Sequence, residues 1–265
     1  MQDTKERSRG IWNERTVAWY QRANARSDYA ERFLEAIPDL LARSRTALDV
    51  GAGFGALALP LARLMERVTA VEPAPAMAAA LRGAAARARL GNVTVIEATW
   101  GGAPVPAHDL VVCAHVSHLL GRGSTFLATL ARGELATQGV ALVRDAPGGD
   151  DKFFFGDLYP ILLGRPYEKS CGFEETEEEL GRLGVRPKLT TIEYGSDQPF
   201  DSLEEACDFW MEYMGLEGAE PRAYLRGFLA GRLRREHGEW IAPFRKRAVV
   251  IHWAVTPPPG DAAAP

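Results

Sequence analysis

Cysteine is scarce in this chain of 265 residues. Its three cysteines, Cys113, Cys171 and Cys207, lie far apart and form no C-x-x-C pair. The sequence therefore predicts neither a disulfide framework nor a zinc site, and no other metal site is expected. Scattered cysteines without a pairing pattern are typical of proteins in a reducing compartment, so the predicted location is the cytoplasm.

The chain also lacks an excess of basic residues and any long apolar run. Its 35 acidic residues outnumber its 31 lysines and arginines, and the formal net charge is −4. Such a balance gives no overall attraction to phosphate backbones, so we expect no nucleic-acid partner. No apolar run reaches the roughly 20 residues of a membrane-spanning helix. Residues 1–10 are too polar for a signal peptide, and we expect no membrane insertion.

A glycine-rich turn lies near residue 50. Residues 46–50 predict a buried strand, and residues 57–66 predict a helix. Between them stand three alternating glycines: Gly51, Gly53 and Gly55. Glycine allows positive φ and lets a ligand come close to backbone N–H groups. Residues 68–71 predict the next strand, which ends at Glu72, an acid suited to ribose hydroxyls. Such a unit is typical of nucleotide binding.

Two cofactors fit this turn. Gly51-x-Gly53-x-x-Ala56 matches the dinucleotide pattern, whereas Asp49, two residues before the alternating glycines, resembles motif I of the class I S-adenosylmethionine (SAM) methyltransferases. A carboxylate at the strand end would repel a pyrophosphate but suits the amino and sulfonium groups of SAM. The chain has no Tyr-x-x-x-Lys pair, which argues against a short-chain dehydrogenase. We expect SAM as cofactor, with an NAD(P)-dependent oxidoreductase or a non-catalytic SAM-binding protein as alternatives.

The rest of the pattern predicts an α/β fold. Strand segments recur along the chain, with helices between most of them: 46–50, 68–71, 93–96, 109–114, 140–143, 189–194 and 248–255. They predict a Rossmann-like, seven-stranded, mostly parallel sheet with an antiparallel last strand and helices on both faces. This arrangement resembles the class I methyltransferase sheet over about residues 44–197 and 246–256. It is most similar to the small-molecule branch, like the ubiquinone and menaquinone biosynthesis methyltransferases.

We predict a single methyltransferase domain over residues 1–265 with two additions. An N-terminal helical lid is expected over residues 11–43, with Pro38 ending its helical run. A helical cap is expected over residues 198–243, because the plain fold joins its last two strands by a short hairpin and here roughly 50 residues intervene. Further helices are predicted over 176–183, 202–214 and 224–235, the first with a capping box of Thr176 and Glu179.

The resemblance implies how SAM is held. Asp49 would serve the methionine end, Glu72 the ribose hydroxyls, and Gly51 and Gly53 would approach the cofactor through their backbone. Residues after the second and third strands would surround the adenine, although core packing is an alternative for two of them. The full set of candidate cofactor-binding residues is Tyr20, Asp49, Gly51, Ala52, Gly53, Gly55, Glu72, Pro73, Met77, Thr99, Trp100, Ala114 and His115.

Thr99 differs from the family pattern, in which many members carry an aspartate at that position. Its hydroxyl can accept a weaker hydrogen bond from the adenine amino group, and the Trp100 ring could stack on the base. Met77, one turn into the following helix, would lie against the adenine. Met77 and Trp100 would otherwise be core residues.

Polar residues also follow the predicted fourth and fifth strands, where open parallel sheets bind ligands. We predict that His118 and Asp145 orient or deprotonate the methyl acceptor. The alternatives are that His118 caps or packs a helix and that Asp145 pairs with Arg144 or with an arginine of the cap. No N/D-P-P-Y/F motif follows the fourth strand, which disfavours amino groups of DNA or protein glutamine. The expected partner is a small-molecule acceptor; its nucleophile and the oligomeric state, a homodimer included, are left open.

Overall fold

A computed structural model describes residues 12–168 and 172–255. Within these residues the chain divides into two compact units. The first, called the sheet unit, contains residues 30–147, 172–192 and 248–255. The second, called the aromatic unit, contains residues 12–29, 148–168 and 193–247.

The described helices and strands alternate along much of the chain. The helices are α1 (Glu14–Asn24), α2 (Tyr29–Ala36), α3 (Pro38–Arg43), α4 (Ala58–Ala62), α5 (Pro75–Arg87), α6 (Thr125–Ala131), α7 (Phe155–Leu162), α8 (Phe173–Arg182), α9 (Leu203–Met214) and α10 (Ala219–Ala230). The strands are β1 (Thr46–Val50), β2 (Arg67–Val71), β3 (Val93–Ile96), β4 (His108–Ala114), β5 (Ala136–Asp145), β6 (Lys188–Gly195), β7 (Gln198–Phe200), β8 (Arg234–Glu236), β9 (Glu239–Ala242) and β10 (Arg245–Ala254).

Seven strands form one sheet in the order β3-β2-β1-β4-β5-β10-β6. The pairs β1–β2, β2–β3, β1–β4 and β4–β5 are parallel, and β10 is antiparallel to β5. The central strands are buried almost throughout, which explains their continuous apolar sequences. The predicted fold class, a mostly parallel seven-stranded sheet with an antiparallel last strand, is confirmed.

Two predicted helix boundaries are wrong. Pro38 begins α3 instead of ending the helical run, because its fixed φ and missing N–H suit the first position of a helix. The helix predicted from residue 176 begins at Phe173, after Gly172 in the left-handed conformation. Thr176 is therefore buried inside α8, where its hydroxyl donates to the Leu120 carbonyl oxygen at 2.6 Å, and it caps nothing.

The segment predicted as one lid, residues 11–43, is divided between the units; residue 11 lies outside the described residues. Residues 12–29, with α1, belong to the aromatic unit. Residues 30–43, with α3 and nearly all of α2, belong to the sheet unit. A lid role for this segment stays a prediction.

The predicted cap, residues 198–243, contains strands as well as helices. β7, β9 and β8 form a three-stranded antiparallel sheet that the sequence analysis missed. The helix predicted over 224–235 is α10, which ends at Ala230, and β8 follows. His237 and Gly238 join β8 to β9 with φ of 50° and 90°. Two consecutive residues with positive φ are typical of a tight hairpin, and the usual sequence of such a turn is Asn-Gly. Here a histidine stands in place of the asparagine, so the sequence did not indicate the hairpin.

The core of the aromatic unit is built largely from rings. Phe153 contacts Phe209, Tyr213 and Phe244 edge-on, with ring centroids 4.9, 5.3 and 5.5 Å apart. Its carbonyl oxygen accepts a hydrogen bond from the Trp210 indole at 2.7 Å. Edge-to-face ring pairs add to the stability that burial provides. These contacts tie residues 148–168 to the helices of the predicted cap.

Candidate functional site

The glycine turn joins β1 to α4. Gly51, Gly53 and Gly55 have φ of 75°, 57° and 96°, the positive values that the sequence predicts. A Cβ atom at Gly51 would lie 2.3 Å from Cγ2 of Val116, so a side chain would clash there. A Cβ at Gly55 would lie 2.3 Å from Leu81. The segment after β4 therefore packs directly on the turn.

The N–H groups of this turn are used within the protein. Those of Gly51 and Ala52 donate to the Val71 carbonyl oxygen at 2.8 and 3.2 Å. That of Gly53 donates to Oε2 of Glu72 at 2.8 Å. A ligand at this turn would therefore use the space left by the missing side chains, because the N–H groups of these three residues already have acceptors.

Glu72 is fixed beside the turn. Its Oε1 accepts the Ala74 N–H at 2.8 Å, so backbone donors hold both carboxylate oxygens. The residue is buried, and burial raises the pKa of its carboxyl, while the hydrogen bonds from Ala74 and Gly53 oppose that rise. Each carboxylate oxygen can accept a further hydrogen bond. The predicted contact of Glu72 with the ribose hydroxyls fits this arrangement and stays a prediction, as does a cofactor role for Pro73, which lies between Glu72 and Ala74.

Asp49 has a buried oxygen that lacks a partner. The residue is 2% exposed, and within the described part of the chain its Oδ2 has no hydrogen-bond donor. Burial raises the pKa of Asp49 to about 7; the charge of Glu72 adds to this, and the Ala58 N–H opposes it. A buried acceptor without a donor is costly. A cationic donor such as the amino group of SAM would satisfy it, so these residues fit that cofactor.

The residues predicted around the adenine occupy different surroundings. Met77 is buried beside the turn, its sulfur 4.0 Å from a Cβ built on Gly53. Trp100 meets Phe126 edge-on, with ring centroids 4.9 Å apart, and packs against the core of the sheet unit. Thr99 is exposed in the turn after β3. Adenine contacts for these three residues stay predictions, as does the cofactor role of Ala114, the last residue of β4.

The structure brings Asp145 to His115. The His115 N–H donates to the Val143 carbonyl oxygen at 2.9 Å, and its Nδ1 lies 3.3 Å from Oδ1 of Asp145. His115 has a φ of 58°, an uncommon value for a residue with a side chain and one found often at functional sites. His118 lies in the exposed turn of Ser117–Leu119. The histidine that contacts Asp145 is thus one that the sequence analysis assigned to the cofactor.

Arg144 is a further residue of this region. Its side chain is buried, and it donates to the Ser117 carbonyl oxygen at 3.4 Å. Burial lowers its pKa, and the charges of Glu175, Asp145 and Cys113 oppose that change. A Cβ at Gly172 would lie 1.6 Å from its guanidinium, so only glycine fits there. Arg144 therefore braces the loop after β4.

Tyr20 belongs to the aromatic unit. Its ring meets Trp12 edge-on at 5.0 Å and stacks on Tyr213 at 6.4 Å. Its hydroxyl is buried with no hydrogen-bond partner among the described residues. Burial, with Tyr213 beside it, raises the pKa of this hydroxyl well above its ordinary value. A cofactor contact for Tyr20 stays a prediction.

Nowhere in 12–168 and 172–255 do three or more histidine, cysteine or acidic side chains come together as metal ligands could. None of the helices in these ranges is long and apolar enough to cross a membrane.

Glu72 gives a direct test of the cofactor site. Glu72→Gln is expected to weaken SAM binding by about 10- to 100-fold, because charge-assisted hydrogen bonds are replaced by neutral ones. Glu66→Gln is the matched control: Glu66 stands just before β2, at the opposite end from Glu72, and pairs with Arg45. Calorimetry on both variants should show a change only for Glu72. Equal SAM affinity in the Glu72 variant and the parent would contradict the assignment.

One segment of the chain matches a known kind of domain. A family model described as a methyltransferase domain matches residues 47–133, which contain β1–β4 and α4–α6. No curated protein matches the chain.

Solved structures share the fold at low sequence identity. YcgJ from Bacillus subtilis is 18% identical, with 84% of this chain and 97% of that chain covered and a TM-score of 0.50. A proposed methyltransferase from Bacillus halodurans C-125 is 18% identical; the alignment covers 85% of this chain and 99% of that chain, and the TM-score is 0.51. A proposed type II methyltransferase from Anaeromyxobacter dehalogenans is 20% identical; the alignment covers 84% of this chain and 97% of that chain, and the TM-score is 0.51.

These likenesses show the fold, and the family match adds the activity of the domain. The acid and glycines of motif I lie in the matched segment, at the carboxyl end of β1. Residues 47–133 of the chain therefore form a methyltransferase domain of the S-adenosylmethionine-dependent kind.

Proposed function

We propose that this methyltransferase acts on a small-molecule acceptor and that His115 removes the acceptor's proton. The contact between His115 and Asp145 carries the proposal. It lies where β4 and β5 end, the edge at which open parallel sheets bind ligands. Val116, the next residue, packs on Gly51 of the glycine turn. His115 is thus one residue away from the contact with the turn that we propose for the cofactor.

The chain holds the cofactor by charge and by shape. Oδ2 of Asp49 would accept the amino group of SAM, and Glu72 would accept the ribose hydroxyls. Gly51 and Gly53 leave space that side chains would fill. When bound, SAM supplies a methyl group already activated by its sulfonium and leaves as S-adenosylhomocysteine. The remaining task of the protein is to align the acceptor with this methyl group and to exclude water.

His115 would act as a general base. Its Nδ1 lies against Asp145, and its Nε2 would take the proton that the acceptor loses as it is methylated. The Asp145 carboxylate, 3.3 Å from Nδ1, holds the ring and stabilises the imidazolium that forms. A base is needed only when the acceptor loses a proton, so we propose an acceptor with a protonated nucleophile, such as a hydroxyl group.

Further features support a small acceptor in the cytoplasm. The acidic net charge and the lack of an N/D-P-P-Y/F motif disfavour nucleic acid. Cys113 and Cys207 are buried free thiols, as is typical of a reducing compartment. Membership of the ubiquinone and menaquinone branch is a proposal that rests on the sequence resemblance alone.

Two measurements test the proposed function. SAM and S-adenosylhomocysteine should raise the melting temperature, because they bind the folded state, whereas NAD(H) should not. Methyl-labelled SAM, incubated with the protein and a pooled metabolite extract, should transfer label to a small molecule. Stabilisation by NAD(H) alone would favour an oxidoreductase. SAM binding without label transfer would indicate a non-catalytic SAM-binding protein.

A further inference from the structure

A pocket of about 330 Å³ lies in the sheet unit, away from the glycine turn. His252 and Trp253 of β10 line it, and they pair with Ala141 and Val140 of β5. Asp145, at the candidate acceptor site, pairs with Ala248, four residues earlier on β10. Four residues of strand span roughly 14 Å. The pocket is therefore separate from the site described above, and its volume is within the range of small-molecule sites.

Basic side chains surround this pocket. Arg43, Arg186 and Lys188 line it, against one acid, Asp39. Among the described residues none of the three cations forms an ion pair with a carboxylate; Arg43 donates to the backbone oxygen of Asp39 at 2.9 Å. Many other arginines of this acidic protein are paired, as Arg122 is with Glu178. Three unpaired cations around one concave surface favour a negatively charged occupant.

The floor and wall of the pocket are suited to an organic molecule. His252 is buried and contacts Thr190 through Nε2 at 3.1 Å. Burial lowers the pKa of His252, the charge of Lys188 lowers it further, and the charge of Asp39 opposes both. The charged side chains that line the pocket therefore interact electrostatically with this histidine. Trp253 is half-buried and presents an aromatic wall. Trp253 and Arg186 also line a neighbouring pocket of about 280 Å³, so the concave surface continues past the ring.

We propose that this pocket binds a small phosphorylated molecule. Arg43, Arg186 and Lys188 bind its phosphate groups, and Trp253 contacts its apolar or ring portion. Guanidinium groups match phosphate oxygens in pairs, and lysine adds a point charge, which is why this combination suits phosphate. The proposal does not depend on methyl transfer, because no residue of the pocket belongs to the candidate cofactor or acceptor site.

Calorimetry with two probes tests the pocket, in the presence of saturating S-adenosylhomocysteine so that the cofactor site is filled. Inorganic pyrophosphate and phenyl phosphate should bind the full chain with dissociation constants below about 1 mM, the weak end of specific binding. The double variant Arg186→Gln/Lys188→Gln should weaken pyrophosphate binding at least about tenfold and should reduce its dependence on salt. Trp253→Phe should weaken phenyl phosphate more than pyrophosphate.

The control is Arg63→Gln/Arg87→Gln, which removes the same charge from two exposed arginines of the sheet unit that lie outside the pocket. It should leave pyrophosphate binding within about twofold, since long-range charge is screened by salt. Melting temperatures of both double variants should match the parent. Failure of both probes to bind the parent below about 1 mM would overturn the proposal. So would an equal loss of affinity in the control, which would show attraction by net charge alone.

Discussion

His115→Asn is expected to lower the rate of methyl transfer by about 100-fold or more at neutral pH, the usual contribution of a general base. Asparagine cannot take the acceptor's proton, but it tolerates the left-handed backbone at this position, where φ is 58°. The loss should therefore come from chemistry and not from unfolding. SAM affinity, measured by calorimetry, should stay at the parent value.

The other members of the candidate site sharpen this test. Asp145→Asn should also lower the rate, because the ring loses the carboxylate that stabilises its charged form. His118→Asn is the matched control and should keep the rate within about twofold, given the small effect usual for exposed residues away from the reacting atoms. A large loss in the His118 variant, with His115→Asn unaffected, would restore the assignment made from sequence.

Asp49→Asn is expected to stabilise the cofactor-free protein above pH 7. The pKa of Asp49 is raised from its ordinary 3.8 to about 7, so the folded state binds an extra proton between these values. Stability from this group is present below about pH 4 and is lost as the pH rises through about 7. Asparagine does not titrate. The variant should gain up to about 4 kcal/mol over the parent above pH 7 and almost nothing near pH 4. The gain should come with weaker SAM binding.

Asp109→Asn is the control, and its effect should have the opposite sign. Burial raises the pKa of Asp109, but hydrogen bonds from the Arg45 N–H, Thr137 and Thr46 outweigh burial, and its pKa is lowered. This carboxylate therefore stabilises the fold when ionised, and that stability is lost as the pH falls. Urea unfolding of both variants and the parent between about pH 2.5 and 8 measures the two trends, because the stability from Asp109 is lost only as the pH falls below its ordinary pKa of 3.8. A destabilised Asp49 variant at pH 8 would show that the buried carboxylate already has a cationic partner in the free protein.

The sequence by itself determined the features that arise from neighbouring residues. An apolar strand, three glycines and a helix within about 20 residues predict the turn, because strand period, positive φ and helix start are local properties. The same holds for Glu72, since the acid ends β2, the strand next to β1. The seven-stranded sheet also followed from the alternation of strands and helices.

The tertiary structure decided what depends on residues that are distant in the chain. His115 and Asp145 meet because β4 and β5 pair in the register that puts Ala114 opposite Val143. The sequence favoured His118 for the acceptor and His115 for the cofactor, because spacing along the chain does not show which histidine lies against Asp145; the structure places His115 there. The cations of the pocket lined by His252 and Trp253 come from α3 and from residues 186–188, which meet only when α3 packs beside the strands of the folded sheet unit. The pKa of Asp49 likewise depends on burial beneath the turn, a property of packing that no local pattern contains.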